Sequence, residues 1–155
     1  MNMKYEVDQS GKVEQTERNT VLACTNGKSV TILLKKSEKR ALQSAFKRVG
    51  SQRIFPYLTF SALLALLIKK LGHFGRITVD NEYTGHERLI SQKTSEYLLV
   101  TGVKSRPVIV FSHVGKLSKA HNMAHEVAVK KKKPTFTVSA KEVFTLILGT
   151  KKSGK

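Results

Sequence analysis

Asn26-Gly27 stands between two apolar, β-branched runs, Thr20 to Thr25 and Ser29 to Leu34, and constrains the fold more than any other local feature. Both residues of that dipeptide tolerate the positive φ of a type I′ turn, so the flanking runs pair as an antiparallel hairpin. Upstream, Lys4 to Asp8 sets Tyr5 and Val7 on one side and Glu6 and Asp8 on the other. The turn-prone Gln9-Ser10-Gly11 follows, Val13 to Glu17 offers a continuation, and Arg18-Asn19 marks the turn into the hairpin. The chain therefore opens as three strands joined by tight turns, which means antiparallel pairing.

The remainder has a different rhythm. Ser37 caps a helix through Leu42 and Phe46 towards Val49, with Glu38 in its first turn and Gly50 ending it. Pro56 breaks the next segment, and a stretch from about Thr59 to Leu71 is apolar nearly all round, so it is expected to be buried on several sides. After Gly72 and Gly75 comes a strand, Arg76 to Tyr83, and then a helix from Gly85 through Leu89, Ile90 and Tyr97 to near Gly102. Val108 to Phe111 reads as a strand buried on both faces. A helix over Ser118 to Lys131 follows, and the capping-box pattern Ser139-Ala140-Lys141-Glu142 opens a last short helix over Val143 to Leu148. Strands separated by helix-length segments pair in parallel through right-handed crossovers. The expectation is a single α/β domain with a mixed sheet.

The Arg76–Tyr83 strand carries the densest chemistry. Ile77 and Val79 can face a core while Thr78, Asp80 and Glu82 share the other side. The chain has only two aspartates, Asp8 and Asp80, and each ends a short β-rich run. Two neighbouring strands delivering carboxylates at one end make an oxygen-rich pocket suited to Mg²⁺ or Mn²⁺. Charge indicates what such a pocket would work on. With 28 Lys and Arg against 11 acids, the net charge of +17 costs the folded state self-repulsion unless a polyanion is the partner, and nucleic acid is the first candidate.

Other classes find little support. No Gly-rich phosphate loop, Ser-His-Asp arrangement or CxxC pair occurs. His121 and His125 lie four apart on one helical face but lack a third nearby ligand for zinc. The longest apolar run, Ala62 to Ile68, is far shorter than the ~20 residues that span a bilayer. The N-terminus has no signal-peptide core, and the lone Cys24 suits a reduced thiol, so the expectation is a cytoplasmic protein with no membrane partner. Oligomeric state is left open.

This order of strands and helices resembles the ribonuclease H-like superfamily over roughly residues 3 to 133. Tyr5-Glu-Val-Asp8-Gln-Ser-Gly11 resembles its first strand and metal-binding aspartate, with Gln9 where glycine is common. Ile77-Thr-Val-Asp80-Asn-Glu-Tyr83 resembles its fourth strand, and His113-Val-Gly115 followed by His121-Asn-Met-Ala-His-Glu-Val-Ala128 its final loop and helix. The resemblance implies a five-stranded mixed sheet in the order 3-2-1-4-5, strands 1 to 3 antiparallel, flanked by helices. Residues 1–133 would form that domain, and residues 134–155 a C-terminal helix and basic tail packed on it.

It further implies a divalent-metal-dependent nuclease acting on an RNA–DNA hybrid, structured RNA or branched DNA. Asp8, Asp80 and Glu82 would hold Mg²⁺ or Mn²⁺, and Glu126 and His113 would complete the catalytic set. Where the family commonly carries a carboxylate on the last helix, this chain has His125, with Glu126 one position on and turned about 100° around the axis. Lys12, Lys116, Lys119, His121, Lys130 and Lys131 are the candidates for gripping the nucleic-acid backbone. The alternative is a ribonuclease H-like domain, or a ribonucleoprotein component, that binds nucleic acid without cutting it.

Overall fold

The structure, a computed structural model, describes residues 5–26, 28–72 and 75–153. Lys4, Gly27 of the expected hairpin turn and the last two residues of the basic tail lie outside them. The elements in chain order are β1 (Glu6–Ser10), β2 (Thr20–Asn26), β3 (Lys28–Leu34), α1 (Lys36–Arg48), a 3-10 turn (Gln52–Ile54), α2 (Phe55–Leu71), β4 (Arg76–Asp80), α3 (Glu87–Val100), β5 (Val108–Ser112), α4 (Lys119–Ala128), β6 (Phe136–Val138) and α5 (Ala140–Ser153).

The fold is α/β, and its mixed sheet has six strands in the order β5-β4-β1-β2-β3-β6. This corrects the expected five-stranded sheet, because Phe136–Val138 adds a parallel edge strand to β3. Residues beyond Lys133 thus belong to the sheet as well as to a helix. Reciprocal bonds between Thr31 and Thr135 fasten the new edge, each backbone N–H donating to the other residue's hydroxyl at 2.8 Å. The β2–β3 hairpin pairs antiparallel with Asn26 opposite Lys28, β1 is antiparallel to β2, and β4 is parallel to β1 and to β5.

Local boundaries differ from expectation for identifiable reasons. Residues Glu6 to Ser10 all belong to β1, and the turn begins at Gly11, whose φ of +77° suits glycine. A Cβ there would lie 2.1 Å from the Asn19 carbonyl oxygen. Val13 to Glu17 is a turn segment that does not extend the strand. Ser37 lies inside α1, while Asn19 Oδ1 accepts from Lys36 N at 2.8 Å and takes over the capping role. Pro56 sits in the first turn of α2 and does not break it, since a missing N–H costs nothing there and its fixed φ fits the helix. The Ser139–Glu142 capping box forms as expected, and α5 then runs on to Ser153. β5 is a partly exposed edge strand, not one buried on both faces.

The helices divide unequally over the sheet. One face carries the main core, where Val7, Leu22, Cys24, Ile32, Ile77 and Val79 meet α1, α2, α3 and α5. Gln52–Leu71 is long and apolar enough to cross a membrane, but 61% of that stretch is buried inside the protein, as befits a core helix. The other face of β1, β2 and β3 is covered by α4, with Val21 and Ala23 against Ala124 and Val127. Strand alternation sends Asp8, the cross-strand partner of Ala23, to that thinner side.

Candidate metal centre

Parallel pairing of β1 and β4 sets Glu6 beside Thr78 and Val7 beside Val79, so the next positions, Asp8 and Asp80, are neighbours. Asp80 stands at the end of β4, whereas Asp8, expected to end its run, lies in the middle of β1 because pairing with β2 continues to Ser10. The two valines bury themselves in the main core, which turns both aspartates to the α4 face. Glu82, two residues on, completes a group in which one oxygen of each carboxylate lies within 4.8 Å of the others. Asp8 is only 4% exposed, and Asp80 and Glu82 are half-buried.

Few positive groups serve these acids. Gln9 N donates to Asp8 Oδ1 at 2.8 Å, and His121 Nδ1 lies 2.7 Å from Asp8 Oδ2. Val114 N donates to Asp80 Oδ1 at 2.9 Å. Lys12 Nζ stands 4.0 Å from Glu82 Oε2, half exposed to water. Burial raises the Asp8 carboxyl above its ordinary range against the pull of Gln9 N–H and His121. Burial also pushes Asp80 up, but hydrogen bonds from Glu82, Val114 N–H and Asp8 hold it below its ordinary value. Glu82 bears the cost: burial, a hydrogen bond to Asp80 and the charge of Asp80 raise it to about 7. Near neutrality the group therefore retains a proton for want of cations.

Surrounding elements fix this geometry. Ser118 caps α4, its side chain accepting from Ala120 N at 3.1 Å, and the first turn of α4 brings His121 to Asp8. Tyr83 is buried between Phe60 and Tyr57, its hydroxyl accepting from Val13 N and donating to Gln9 Oε1, both at 3.2 Å. It ties the segment after β4 to the loop after β1. That loop has a second anchor in Lys39, which is fully buried and whose Nζ donates to the carbonyls of Lys12 (2.9 Å), Gln15 (2.7 Å) and Arg18 (2.6 Å). Burial lowers the Lys39 ammonium to about 8, against the pull of Glu17 and Glu14.

The structure brings Asp8, Asp80 and Glu82 together with Lys12 at their rim. His113 is exposed on the loop whose Val114 N–H reaches Asp80, near enough for its charge to lower that carboxyl. Lys116 and Lys119 are exposed on the same loop and the start of α4. His121, a candidate for gripping phosphate, faces Asp8 with its side chain 40% exposed. Glu126 stands apart from the acidic group and pairs with Lys132 at 3.4 Å, because the helix turns it away from the position that His121 fills. Lys130 and Lys131 lie exposed beyond the far end of α4. The Val114 amide left no sequence signal. Lys39 did, sharing an i, i+3, i+7 stripe with Leu42 and Phe46.

The all-oxygen donor set, its surplus of negative charge and the proton retained on Glu82 fit a hard divalent cation such as Mg²⁺ or Mn²⁺. Comparison with known protein families, curated proteins and solved structures gives no match to this chain.

Proposed function

We propose that this chain is a divergent ribonuclease H-like, nucleic-acid-binding protein of the cell interior that hydrolyses phosphodiester bonds with Mg²⁺ or Mn²⁺. The observation that carries the reading is the parallel register that sets Asp8 and Asp80 side by side, with Glu82 against them, in a chain of net charge +17. Asp8, Asp80 and Glu82 would hold the cation, which when bound supplies an activated water and charge neutralisation at the leaving oxygen. The protein's own residues position and hold charge. His121 fixes the Asp8 carboxylate, the Val114 amide fixes Asp80, and Lys12 offsets charge at Glu82. The buried Cys24 thiol, pushed up to about 12 by burial and by Glu6, suits a reducing compartment. RNA–DNA hybrids, structured RNA and branched DNA are the substrates to try.

One observation favours the second reading, nucleic-acid binding without cleavage. α4 offers a histidine, not a carboxylate, to the acidic group, and His121 already occupies one oxygen of Asp8. Labelled single strands, duplexes, hybrids and four-way junctions incubated with Mn²⁺ or EDTA separate the two. For a nuclease, Asp80→Asn lowers metal-dependent cleavage on the order of 100-fold or more, roughly 2.7 kcal/mol, while binding in EDTA is unchanged or tighter. Binding by parent and variant with no cutting by either selects the second reading. Undiminished cleavage by Asp80→Asn protein removes the acidic group from the mechanism.

A further inference from the structure

A cavity of about 550 Å³ opens between the start of α1 and the end of α4, with Leu33 and Val127 among its lining residues. Lys35, Lys36 and Arg40 line it from the α1 side, and Lys130, Lys132 and Lys133 from the segment after α4. Of these six only Lys132 has an acidic partner among the described residues, Glu126. The α1 carboxylate, Glu38, is engaged elsewhere, accepting from Ala140 N at 2.9 Å. Holding these cations in one groove costs repulsion that a polyanion would relieve.

The end of α4 places the lysine run. Lys130, at φ +64°, is the single non-glycine residue with positive φ among those described. That turn lets the amides of Lys131 and Lys132 both bond to the Glu126 carbonyl, at 2.8 and 3.3 Å, and folds the lysine run over the helix end. Lys130 thus serves as the left-handed cap of α4, the position where a helix ordinarily ends.

Position relates the groove to the acids. β1 and β3 are both antiparallel to β2 and run the same way, so Asp8 is level with Thr31 and the groove at Lys35 lies four residues further along β3 towards the shared C-terminal end of the two strands. α4 joins the two sites, meeting Asp8 through His121 near its start and bordering the groove through Val127 near its end. The ten-residue helix between them is ~15 Å long, about four base-pair rises of a duplex.

We infer that the groove formed by Lys35, Lys36, Arg40, Lys130 and Lys133 binds the phosphodiester backbone of the nucleic acid at a distance from the Asp8–Asp80–Glu82 group, with α4 as the spacer. This rests on the nucleic-acid reading above and adds the place where the strand is held. Point-charge lysines and a single arginine suit sequence-independent phosphate contact.

The test compares the full chain with Arg40→Glu/Lys133→Glu and with Lys104→Glu/Arg106→Glu. The second pair carries the same charge change on exposed residues before β5, at the opposite end of the sheet. Fluorescent 24-mer hybrids, duplexes and single strands serve as probes across a salt series, with thermal melts to verify folding and Mn²⁺ calorimetry to verify the acidic group. The groove pair is expected to weaken binding at least tenfold and flatten the log–log salt slope by roughly 1 to 2, with Mn²⁺ binding intact. The control pair is expected to weaken binding less than threefold. Equal losses from both pairs overturn the groove while leaving nucleic-acid binding in place. A parent chain that binds no oligonucleotide removes the nucleic-acid reading and the groove with it, as does groove-dependent binding confined to phosphatidylserine vesicles.

Discussion

Two buried charges in this protein are treated in opposite ways. Lys39 is fully enclosed, and the three hydrogens of its ammonium meet three carbonyls of the loop after β1. Asp8 is nearly as buried, yet it shares its pocket with two more carboxylates and is served by one amide and one imidazole. Lys12 touches both, offering its carbonyl to Lys39 and its ammonium to Glu82. A fully satisfied polar network fixes structure, whereas a partly satisfied one stores unfavourable energy that a ligand can relieve. The lysine cage holds the fold together, and the acidic group could hold a metal ion.

The largest effect expected from this contrast is at the cage. Lys39→Met keeps the side-chain length but leaves three carbonyls without their donor, and should lower unfolding free energy by roughly 3–5 kcal/mol in urea titrations. A loss under about 1 kcal/mol would mean that the loop holds itself and that the cage is incidental.

A smaller effect is expected from pH at the acidic group. Because Glu82 titrates near 7, well above its ordinary value, a cation has to displace a proton at lower pH. Mn²⁺ affinity should therefore climb from pH 5.5 to 7, by at most about tenfold per pH unit, and level off above. Without metal the sign reverses. The folded state holds this proton more tightly than the unfolded chain, so the associated stability is complete below about pH 4.5 and is lost as pH rises through 7. Calorimetry with Mn²⁺ at pH 5.5, 6.5 and 7.5 checks the first trend, and thermal melts in EDTA the second. A flat Mn²⁺ profile would show that Glu82 is not a ligand.

The smallest expected change sharpens the comparison most. Asp8→Asn keeps an acceptor for the Gln9 amide and removes one of three crowded negative charges. Its stability should stay within about 1 kcal/mol of the parent, on either side, although Mn²⁺ binding is lost. A loss as large as that of Lys39→Met would make Asp8 a structural residue.

What could be read beforehand follows from the range of the interactions. The alternation around Val7 and Val79 is a local property of strands, so the facing of Asp8 and Asp80 is visible in sequence. The crossovers imply parallel pairing, while the choice of β1 as the partner of β4 comes only with the sheet order that the resemblance implies. β6 was hidden because three residues after a lysine run and Pro134 carry almost no periodic signal, and its pairing depends on β3, about a hundred residues away. The contact of His121 with Asp8 leaves no sequence signal, because which face a ten-residue helix presents is decided by the small residues packed beneath it, Ala124 and Val127 against Val21 and Ala23. A lysine on an apolar stripe reads as an interruption until the three carbonyls that accept from Lys39 are seen.

The margins of the sheet bear on how such a chain avoids self-association. An unpaired strand edge invites another copy, and proteins resist it with brevity, charge and proline. β6 covers the otherwise open side of β3 and leaves outermost a strand of only three residues, too short to template growth. At the opposite margin, β5 is entered through Lys104-Ser105-Arg106-Pro107, which sets two cations and an imino acid at the start of its free edge. Neutralising the basic surface with a bound polyanion would weaken one of these guards and leave proline and brevity in place.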